Sequence, residues 1–384
     1  MPEFSNLSSS SAKELLMESR NKRIAIFVSF SGQGGVERAM ALLAGGMLSH
    51  GVTVDFILPR AVGDHVGSIP KGVNIIRLNT KHTFSALVPL ARYLKKERPD
   101  ALLAAKHRAI VTAVLASRLA GFRGMVAGNI QTTISAGLTD SNFIKRNLYF
   151  SMMRIFYKWT HFIVAVSKGV ADDIIQITGL PSEKVKVIYN PVVTPNIVER
   201  AAEPLEHPWL SDGDVPVIVG IGRLTKQKDF HTLIRAFAVV RRTRPCRLVI
   251  LGDGGDRESL LSLAQEQGVL TDVDFPGFQQ NPFAWLSRSS LFVLSSRWEG
   301  FGIVIVEALA LGIPVVSTDC PNGPREILKD GEYGPLVPVE DPDTLAVAMI
   351  KTLEKPLDPE ILHDAASDYT TDKIGEEYIR TLLG

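Results

Sequence analysis

Short apolar runs alternate with amphipathic helical patterns along most of this chain, in two successive series. The strand-like runs of the first series are residues 24–30, 52–58, 73–78, 101–105, 125–128 and 162–166. After about residue 214 the pattern restarts, with runs at 215–221, 248–251, 273–275, 291–294 and 315–317. Alternating strands and helices are typical of parallel sheets that helices cover on both faces. The sequence therefore predicts an α/β chain with two doubly wound, Rossmann-like domains that face a cleft.

The break between the two series is a turn-rich segment. Asn190 and Pro191 open it, Pro195 closes it, and residues 199–216 are polar and contain three prolines. Such clusters favour turns and loops over regular structure. The predicted parts of the chain are a disordered tail at 1–21, a first domain at 22–195 and a second domain at 196–369. Doubly wound sheets bind ligands beyond the carboxyl ends of their strands, so we expect the functional residues there.

The composition is that of an ordinary globular protein. Of the 384 residues, 45% are hydrophobic and 22% are charged, which excludes general disorder. No uncharged apolar stretch reaches the about 18 residues typical of a membrane-spanning helix. The Ser-rich start of the chain has an apolar patch too short for a signal peptide. Cys246 and Cys320 fit no disulfide or metal spacing, so we expect a reducing, cytoplasmic compartment.

The net charge of +1 hides two halves of opposite sign. Residues 1–195 hold 24 Lys and Arg against 12 Asp and Glu, whereas residues 196–384 hold 18 against 29. This asymmetry suggests different partners for the two halves. In the basic half, residues 143–159 predict a helix with one apolar and one basic face. Two interpretations remain open: the helix lies on an anionic membrane surface, apolar face down, or it covers the sheet of the first domain and turns its basic face outward.

A glycine-rich segment follows the first predicted strand and opens a helix. It contains Gly32, Gly34 and Gly35, and glycines at such a turn let the backbone approach a ligand near a helix N-terminus, which favours anions. Glu37 stands where a dinucleotide-binding fingerprint requires its third glycine, which argues against a nicotinamide-dependent oxidoreductase. The segment predicts a ligand-facing loop, with a tight strand-to-helix turn as the alternative.

Two cations follow the first predicted strand of the second domain. Arg223 and Lys228 lie in an otherwise acidic half, at the end of a strand. A diphosphate could be held there, by Arg as a two-pronged donor and by Lys as a point charge. The alternative is a solvated basic turn.

Two glutamates mark the most specific motif of the chain. Glu299 ends the turn after the strand at 291–294, and Glu307 falls within an almost wholly apolar helix at 303–311. A carboxylate in such surroundings is costly unless hydrogen-bond donors reach it. Sugar or ribose hydroxyls are suitable donors, and a basic neighbour is the alternative. The backbone N–H groups at the start of this helix can also receive phosphate oxygens.

We predict no metal site. None of the three Asp-x-Asp pairs follows the carboxyl end of a strand, so each indicates a structural role: Asp212/Asp214, Asp272/Asp274 and Asp341/Asp343. The eight histidines include none at metal-ligand spacing.

From Lys22 to its C-terminus, the chain resembles the retaining nucleotide-sugar glycosyltransferases of family 4, also called group 1 glycosyltransferases, which have the GT-B fold. Glu299 and Glu307 match the family's E-x7-E element, and Gly222-Arg223 with Lys228 matches its diphosphate-binding turn. Residues 319–327 resemble a segment of members that extend lipid-linked or polysaccharide glycans. The resemblance also implies that a last helix, about 370–384, returns to the first domain.

The resemblance implies a role for each matching residue. Those implied to bind the donor are Gly222, Arg223, Lys228, Gly252, Phe278, Glu299, Phe301, Gly302, Ile303 and Glu307. Arg223 and Lys228 would neutralise the leaving diphosphate in place of a metal, Glu299 would contact hydroxyls of the donor sugar, and Glu307 would hold the ribose hydroxyls. The first domain would bind the acceptor, with Gly32, Gly34 and Gly35 near the acceptor or the diphosphate. Many members carry a His near the donor sugar, where this sequence has none and offers only Asn129 or Gln131. Asn129 would lie with the glycines near the acceptor or the diphosphate.

The function implied is a retaining, metal-independent hexosyltransferase without a cofactor. It would move a hexose or N-acetylhexosamine from a nucleoside-diphosphate sugar, UDP before GDP, to a hydroxyl of a glycan or of a polyprenyl-diphosphate-linked acceptor. Polysaccharide or lipopolysaccharide biosynthesis on the inner face of the membrane would be its setting, and no nucleic-acid partner is expected. The alternatives are a sugar-nucleotide 2-epimerase of the same fold and a non-catalytic carbohydrate-binding scaffold.

Overall fold

The computed structural model describes residues 22–29, 35–59, 67, 69–139, 142–211 and 215–384. The chain divides into two compact units, the first reaching Val192 and resuming at Tyr369, the second comprising Val193–Asp368. The N–H of Val192 donates to the Tyr369 carbonyl over 2.9 Å, which ties the chain's exit from the first unit to its return. The division therefore falls just before the predicted boundary at 195. The predicted tail, 1–21, lies outside the described residues.

The first unit contains a seven-stranded parallel sheet in the order β3-β2-β1-β4-β5-β6-β7. Its strands are β1 Arg23–Phe27, β2 Thr53–Leu58, β3 Asn74–Arg77, β4 Ala101–Ala105, β5 Met125–Ile130, β6 Phe162–Ala165 and β7 Val185–Val187. Its helices are α1 Gly35–Ser49, α2 Leu87–Glu97, α3 His107–Ala120, α4 Ile134–Gly137, α5 Phe143–Phe156 and α6 Lys168–Thr178, with α16 from the end of the chain, Thr371–Leu383. Short 3-10 turns occupy Phe84–Ala86, Tyr157–Trp159 and Ser182–Lys184.

The helices bury the central strands of this sheet. All five residues of β4 are buried, as expected of a central parallel strand covered on both faces. In the neighbouring β5, a Cβ on Gly128 would lie 2.6 Å from Ile163 and 2.7 Å from Ile110, so the packing leaves no space for a side chain. Asp55 lies in mid-strand and accepts hydrogen bonds from Asn74 over 2.9 Å and from the Tyr93 hydroxyl over 2.5 Å. Its role is structural.

The C-terminal helix packs against α1 through two glycines. A Cβ on Gly46 would overlap the Thr371 carbonyl, and one on Gly375 would lie 2.6 Å from the carbonyl carbon of Gly46. The helix backbones therefore touch. One turn further, the fully buried Tyr378 hydroxyl receives a hydrogen bond from the Asn129 amide over 2.7 Å.

The second unit contains a six-stranded parallel sheet in the order β10-β9-β8-β11-β12-β13. Its strands are β8 Val217–Ile221, β9 Arg247–Leu251, β10 Val273–Gly277, β11 Leu291–Leu294, β12 Val315–Thr318 and β13 Leu336–Val337. Its helices are α7 Ile197–Ala201, α8 Pro208–Ser211, α9 Phe230–Thr243, α10 Arg257–Glu266, α11 Pro282–Leu286, α12 Ile303–Ala310, α13 Pro324–Ile327, α14 Pro342–Glu354 and α15 Pro359–Ala366. Short 3-10 turns lie at Leu270–Asp272, Lys329–Gly331 and Ser367–Tyr369.

The predicted α/β class with two Rossmann-like parallel sheets is confirmed. Sequence reasoning missed β7 and β13, which are three and two residues long and lie at sheet edges. Within the described residues, no helix is long and apolar enough to cross a membrane.

The apolar face predicted for residues 143–159 is not covered by the first unit. Ile144 is 74% exposed, Leu148 62%, Ile155 52% and Trp159 41%. The interpretation that this face covers the sheet is therefore wrong for these four side chains. Helix α5 instead buries Met153, on another side of the helix.

Candidate active site

The predicted donor-binding residues follow strand ends along one edge of the second sheet. Ile221 at the end of β8 pairs with Leu251 at the end of β9, which in turn pairs with Gly277 at the end of β10. On the other side of β8, Leu294 of β11 pairs with Ser317 of β12. The residues that follow these ends are Gly222 and Arg223, Gly252, Phe278 and the segment 295–299. The parallel topology thus gathers them at the carboxyl edge, where doubly wound sheets bind ligands.

Lys228 and Glu299 form an ion pair at this edge. The Lys228 Nζ lies 2.5 Å from Glu299 Oε1, which also accepts a hydrogen bond from the Ser296 hydroxyl over 2.6 Å. Both partners are largely buried, with 18% and 9% of their side chains exposed. The Coulomb attraction within such a largely buried ion pair is stronger than within a surface pair, because water screens it less. The sequence predicted both residues at the donor site but gave no sign that they contact each other.

Two glycines create the space for this lysine. A Cβ on Gly222 would lie 2.9 Å from the Cε of Lys228 and 3.0 Å from its Cδ and Cγ. A Cβ on Gly252, which has φ +132°, would overlap the Gly222 carbonyl oxygen. Glycine at 252 therefore lets two strand ends approach, and glycine at 222 leaves room for the Lys228 side chain.

Arg223 is exposed in the loop after β8, five residues before Lys228. Among the residues that the structure describes, its guanidinium makes no ion pair. An exposed guanidinium and a largely buried ammonium in one loop are suited to an anion with several oxygens, because Arg donates in a planar fork and Lys from a point. Phe278, half-buried at the end of β10, donates its N–H to Asp253 over 3.0 Å.

The second glutamate lies in α12, the helix predicted at 303–311 and found at Ile303–Ala310. Glu307 is fully buried there, and Phe301 is buried just before the helix. Gly302 has φ +101°, a conformation that favours glycine, and this turn leads directly into Ile303 at the start of the helix. The N–H groups of the first helical turn are the donors that a phosphate or a sugar oxygen can use.

A second loop supports the turn that carries Glu299. The Glu299 N–H donates to the Pro321 carbonyl over 3.2 Å, and a Cβ on Gly323 would overlap the Phe301 carbonyl. Cys320, in the same loop, is buried, and its burial and the Glu299 charge raise the pKa of its thiol. The segment 319–327 singled out in the sequence thus packs against the turn that carries Glu299 and supports it.

The residues predicted for the acceptor loop have three different outcomes. Gly32 and Gly34 lie outside the described residues, and Gly35 is the exposed first residue of α1. Asn129 is fully buried, and besides its bond to Tyr378 it accepts a hydrogen bond from Gln131 over 2.8 Å. Asn129 therefore links β5 to the last helix, and its contact with an acceptor stays a prediction.

Sequence reasoning missed a polar pair at the carboxyl edge of the first sheet. Lys106 follows β4 and places its Nζ 2.7 Å from the buried carboxylate of Glu37 and 3.4 Å from the Ser29 carbonyl. Its φ of 77° is rare for a residue with a side chain. The position of Lys106 directly after a predicted strand was the available signal.

Two of the aspartates considered for a metal have other partners. Asp272 pairs with Arg241 over 2.9 Å and with Arg247, and Asp341 accepts the Thr344 N–H over 3.0 Å at the start of α14. Asp212 and Asp214 lie outside the described residues. Among the described side chains, no three of the His, Cys, Asp or Glu type group as metal ligands. Cys246 and Cys320 are both free and buried.

Two family models match consecutive parts of the chain. The model for glycosyltransferase family 4 matches residues 33–194, and the model for group 1 glycosyl transferases matches residues 203–370. This chain is a family 4, group 1 glycosyltransferase. The GT-B fold that the resemblance implied is confirmed, and the E-x7-E spacing of Glu299 and Glu307 lies after strand β11 of the second sheet.

Relatives and solved structures cover nearly all of the glycosyltransferase. It is 27% identical to the N-acetylgalactosamine-N,N'-diacetylbacillosaminyl-diphospho-undecaprenol 4-alpha-N-acetylgalactosaminyltransferase of Campylobacter jejuni, over 94% of its own chain and 100% of that protein. The lipopolysaccharide core biosynthesis glycosyltransferase LpsE of Rhizobium meliloti is 28% identical, over 83% and 86% of the two chains. Anabaena HepE in complex with UDP superposes with a TM-score of 0.72 at 21% identity, over 93% and 99%, which is a likeness of fold.

Proposed function

We propose that this glycosyltransferase moves a hexose or N-acetylhexosamine from a UDP-sugar to a hydroxyl of a lipid-linked or polysaccharide glycan, with retained configuration and without a metal. The observation that carries the proposal is the loop after β8 at the carboxyl edge of the second sheet, which holds two cations: Arg223 is exposed, and Lys228 is largely buried in its ion pair with Glu299. Two cations at that place can neutralise a leaving diphosphate, which is the task of a metal ion in other phosphate sites.

In the proposed reaction the chain's residues hold charge while the substrates exchange bonds. The bond between the anomeric carbon and the diphosphate oxygen breaks, and the acceptor oxygen bonds to the same face of that carbon. The acceptor's proton passes to the leaving phosphate oxygen. Lys228 has three N–H donors, so it can serve Glu299 and a phosphate oxygen together. Glu299 accepts hydrogen bonds from hydroxyls of the sugar, and Glu307 accepts hydrogen bonds from hydroxyls of the ribose.

The preference for UDP and for a lipid-linked acceptor rests on the relatives. HepE was solved with UDP and with UDP-glucose, and the Campylobacter jejuni relative acts on a diphospho-undecaprenol glycan. We extend both features to this chain as part of the proposal. An epimerase of the same fold would convert its sugar nucleotide without an acceptor, so incubation with the donor alone separates that alternative.

We further propose that the first unit lies against the anionic cytoplasmic surface of a membrane. Ile144, Leu148 and Ile155 expose an apolar face on α5, and Trp159 follows it with the Arg118 guanidinium 3.8 Å above its ring. Leu119, next to that arginine, is 64% exposed. Exposed apolar side chains beside arginines and lysines fit the boundary between lipid headgroups and acyl chains. A lipid-linked acceptor would be met at that surface.

Thermal unfolding with a panel of nucleotides tests the donor assignment. UDP, GDP, ADP and their common sugar conjugates are each added once with EDTA and once with excess Mg²⁺ or Mn²⁺. A ligand at 100 times its Kd stabilises the folded protein by about 2.7 kcal/mol, which raises the unfolding temperature measurably. The proposal predicts a rise with UDP and UDP-sugars in EDTA. A rise that requires Mg²⁺ or Mn²⁺, or that only GDP or ADP gives, contradicts it.

A further inference from the structure

Two loops that carry the charged pair of the donor site are joined by backbone contacts. The N–H of Arg297 donates to the Gln227 carbonyl over 2.8 Å, and the Gln227 side-chain amide donates to the Trp298 carbonyl over 3.0 Å. The Ser295 hydroxyl donates to the Lys228 carbonyl over 2.8 Å. Hydrogen bonds between residues 227–228 and residues 295–298 therefore join the loop after β8 to the loop after β11.

The Arg297 side chain fastens the same two loops by charge. Its Nε lies 3.2 Å from Asp229 Oδ2, as an ion pair, and its terminal nitrogen lies 2.8 Å from Glu340 Oε1. Asp229 is 2% exposed and has φ 47°, and it also accepts the Thr232 hydroxyl over 2.8 Å. A buried carboxylate in a left-handed conformation needs such partners to stay in place.

Each end of this ion pair lies next to a member of the Lys228–Glu299 pair. Asp229 follows Lys228 directly, and Arg297 precedes Glu299 by two residues. The backbone has little freedom between them, because Asp229 is the N-cap residue of α9 and Arg297 lies three residues after the end of β11. The distance between the two loops at Asp229 and Arg297 therefore sets where the Lys228 ammonium meets the Glu299 carboxylate.

We propose that Arg297 is a positioning residue of the donor site, which acts through Asp229 to hold Lys228 and Glu299 in register. The inference rests on the proposed function of that pair. It means that the Lys228 ammonium, assigned to the diphosphate, and the Glu299 carboxylate, assigned to the sugar, are held in place together. Loss of Arg297 would let the two loops move independently and would weaken binding of the diphosphate, although Arg297 itself is not assigned a contact with the ligand.

The variants are chosen to separate positioning from stability. Arg297→Met removes the charge, Arg297→Lys keeps it without the planar fork, and Asp229→Asn keeps the bond to Thr232. Arg241→Met is the matched control, because Arg241 also pairs with a buried aspartate, Asp272, at the amino end of the strands. Asp272 keeps Arg247 in that variant, so the fold is preserved.

Hydrogen exchange on the free protein and calorimetry with UDP are the two measurements. Arg297→Met is expected to speed exchange in residues 225–229 and 295–299 together and to weaken UDP binding about tenfold, with Arg297→Lys intermediate. The double variant Asp229→Asn/Arg297→Met is expected to lose no more than Arg297→Met alone. Arg241→Met should leave both loops and UDP affinity unchanged.

The outcomes distinguish this inference from the function on which it rests. Unchanged exchange in the two loops of Arg297→Met and Arg297→Lys overturns the coupling. Faster exchange with unchanged UDP affinity overturns the positioning role. If Arg297→Met fails to fold, Arg297→Lys and Asp229→Asn give the same comparison. A wild-type protein that does not bind UDP overturns the proposed donor, whereas the exchange data still test whether Arg297 joins the loops.

Discussion

The Lys228 ammonium lies 2.5 Å from a carboxylate oxygen of Glu299, across 71 positions of the sequence. The cation assigned to the diphosphate and the carboxylate assigned to the donor sugar are thus one ion pair at the ends of two neighbouring strands. Removing one charge leaves the other charge without its partner, because both side chains are largely buried and each charge partly compensates the other. We therefore expect the proposed donor site to respond to substitution as a coupled unit, and this shapes the predictions for its glutamates.

The two glutamates are expected to affect different parts of the donor. Glu299→Gln frees Lys228 for the diphosphate, so UDP should bind at least as tightly as to the wild type, while turnover of the UDP-sugar falls. Glu307→Gln removes a buried charged acceptor, and hydrogen bonds to charged groups contribute roughly 1.5–3 kcal/mol, so UDP affinity should fall at least about tenfold. Calorimetry with UDP measures both.

Deoxynucleotides provide the control for this assignment. The wild type should lose affinity for 2′-deoxy- or 3′-deoxy-UDP relative to UDP, and Glu307→Gln should discriminate much less between them. If Glu299→Gln weakens UDP binding more than Glu307→Gln does, the two roles are assigned the wrong way round.

The crossing of α1 and the last helix is expected to be intolerant of a single methyl group. Gly46→Ala places a Cβ onto the Thr371 carbonyl, and overpacking of this kind costs about 1–3 kcal/mol. In Gly45→Ala, one residue earlier on the same helix, the new Cβ meets only Pro70, at 3.4 Å, among the described residues, and the variant should gain up to about 1 kcal/mol of helix propensity. Urea unfolding of the two variants gives the comparison. Equal stabilities would show that the backbones do not touch.

Binding to vesicles is expected to depend on the apolar face of α5. Wild-type protein should sediment with anionic liposomes at low salt and bind neutral ones weakly, since nearby cations contribute about 1 kcal/mol each. Part of the binding should survive at 1 M salt, where the Debye length is about 3 Å, because inserted apolar side chains are not screened. Ile144→Ser and Leu148→Ser should remove that salt-resistant part.

Ile361→Ser is the control for the vesicle experiment, because Ile361 is an exposed apolar residue of the second unit. It should bind like the wild type. Absence of binding to anionic liposomes at low salt, together with full activity on a soluble sugar acceptor, would remove the membrane from the proposal.

His107 is expected to make the first unit sensitive to acid. It packs against Tyr149 with ring centroids 4.1 Å apart, and burial, aided by the Arg108 charge, lowers the pKa of His107 from 6.5 to about 4. Between these values the unfolded chain binds a proton that the folded one does not. His107 therefore does not lower the free energy of unfolding above pH 6.5. As the pH drops from 6.5 towards 4, it lowers that free energy by up to about 3 kcal/mol.

Unfolding at a series of pH values measures this contribution. His107→Gln keeps a hydrogen-bonding group for the Tyr157 hydroxyl, 3.1 Å from the histidine Nδ1, but does not titrate. Its stability should decline less steeply between pH 6.5 and 4 than that of the wild type. His82→Gln, at an exposed position, should keep the wild-type slope. Parallel slopes for all three proteins would exclude His107 as the source.

The sequence predicted the fold well where the signal was local. The runs at 101–105 and 291–294 correspond to β4 and β11 residue by residue, because each is a short apolar run between polar residues. The helix after Glu299 was likewise evident from its composition. Strand β13 was missed because two residues carry no periodicity.

The contacts of the candidate site could not be predicted in the same way. Nothing local indicates that Lys228 meets Glu299 or that Arg297 meets Asp229, since each pair joins loops after different strands. The helical period of residues 143–159 was evident, but a period says which residues share a face and not what covers that face. Only the packing of the first unit shows that Ile144 and Leu148 remain exposed.

The most direct test of the account is calorimetry with UDP in the presence of EDTA, on the wild type, Arg223→Ala and Lys228→Met. Arg235→Ala, on the exposed side of α9, is the control. We predict that the wild type and the control bind UDP equally without a divalent ion, and that each of the other two loses about tenfold to a few hundredfold in affinity. Binding that requires a divalent ion, or unaltered binding by Arg223→Ala and Lys228→Met, would contradict the claim that these two cations hold the diphosphate.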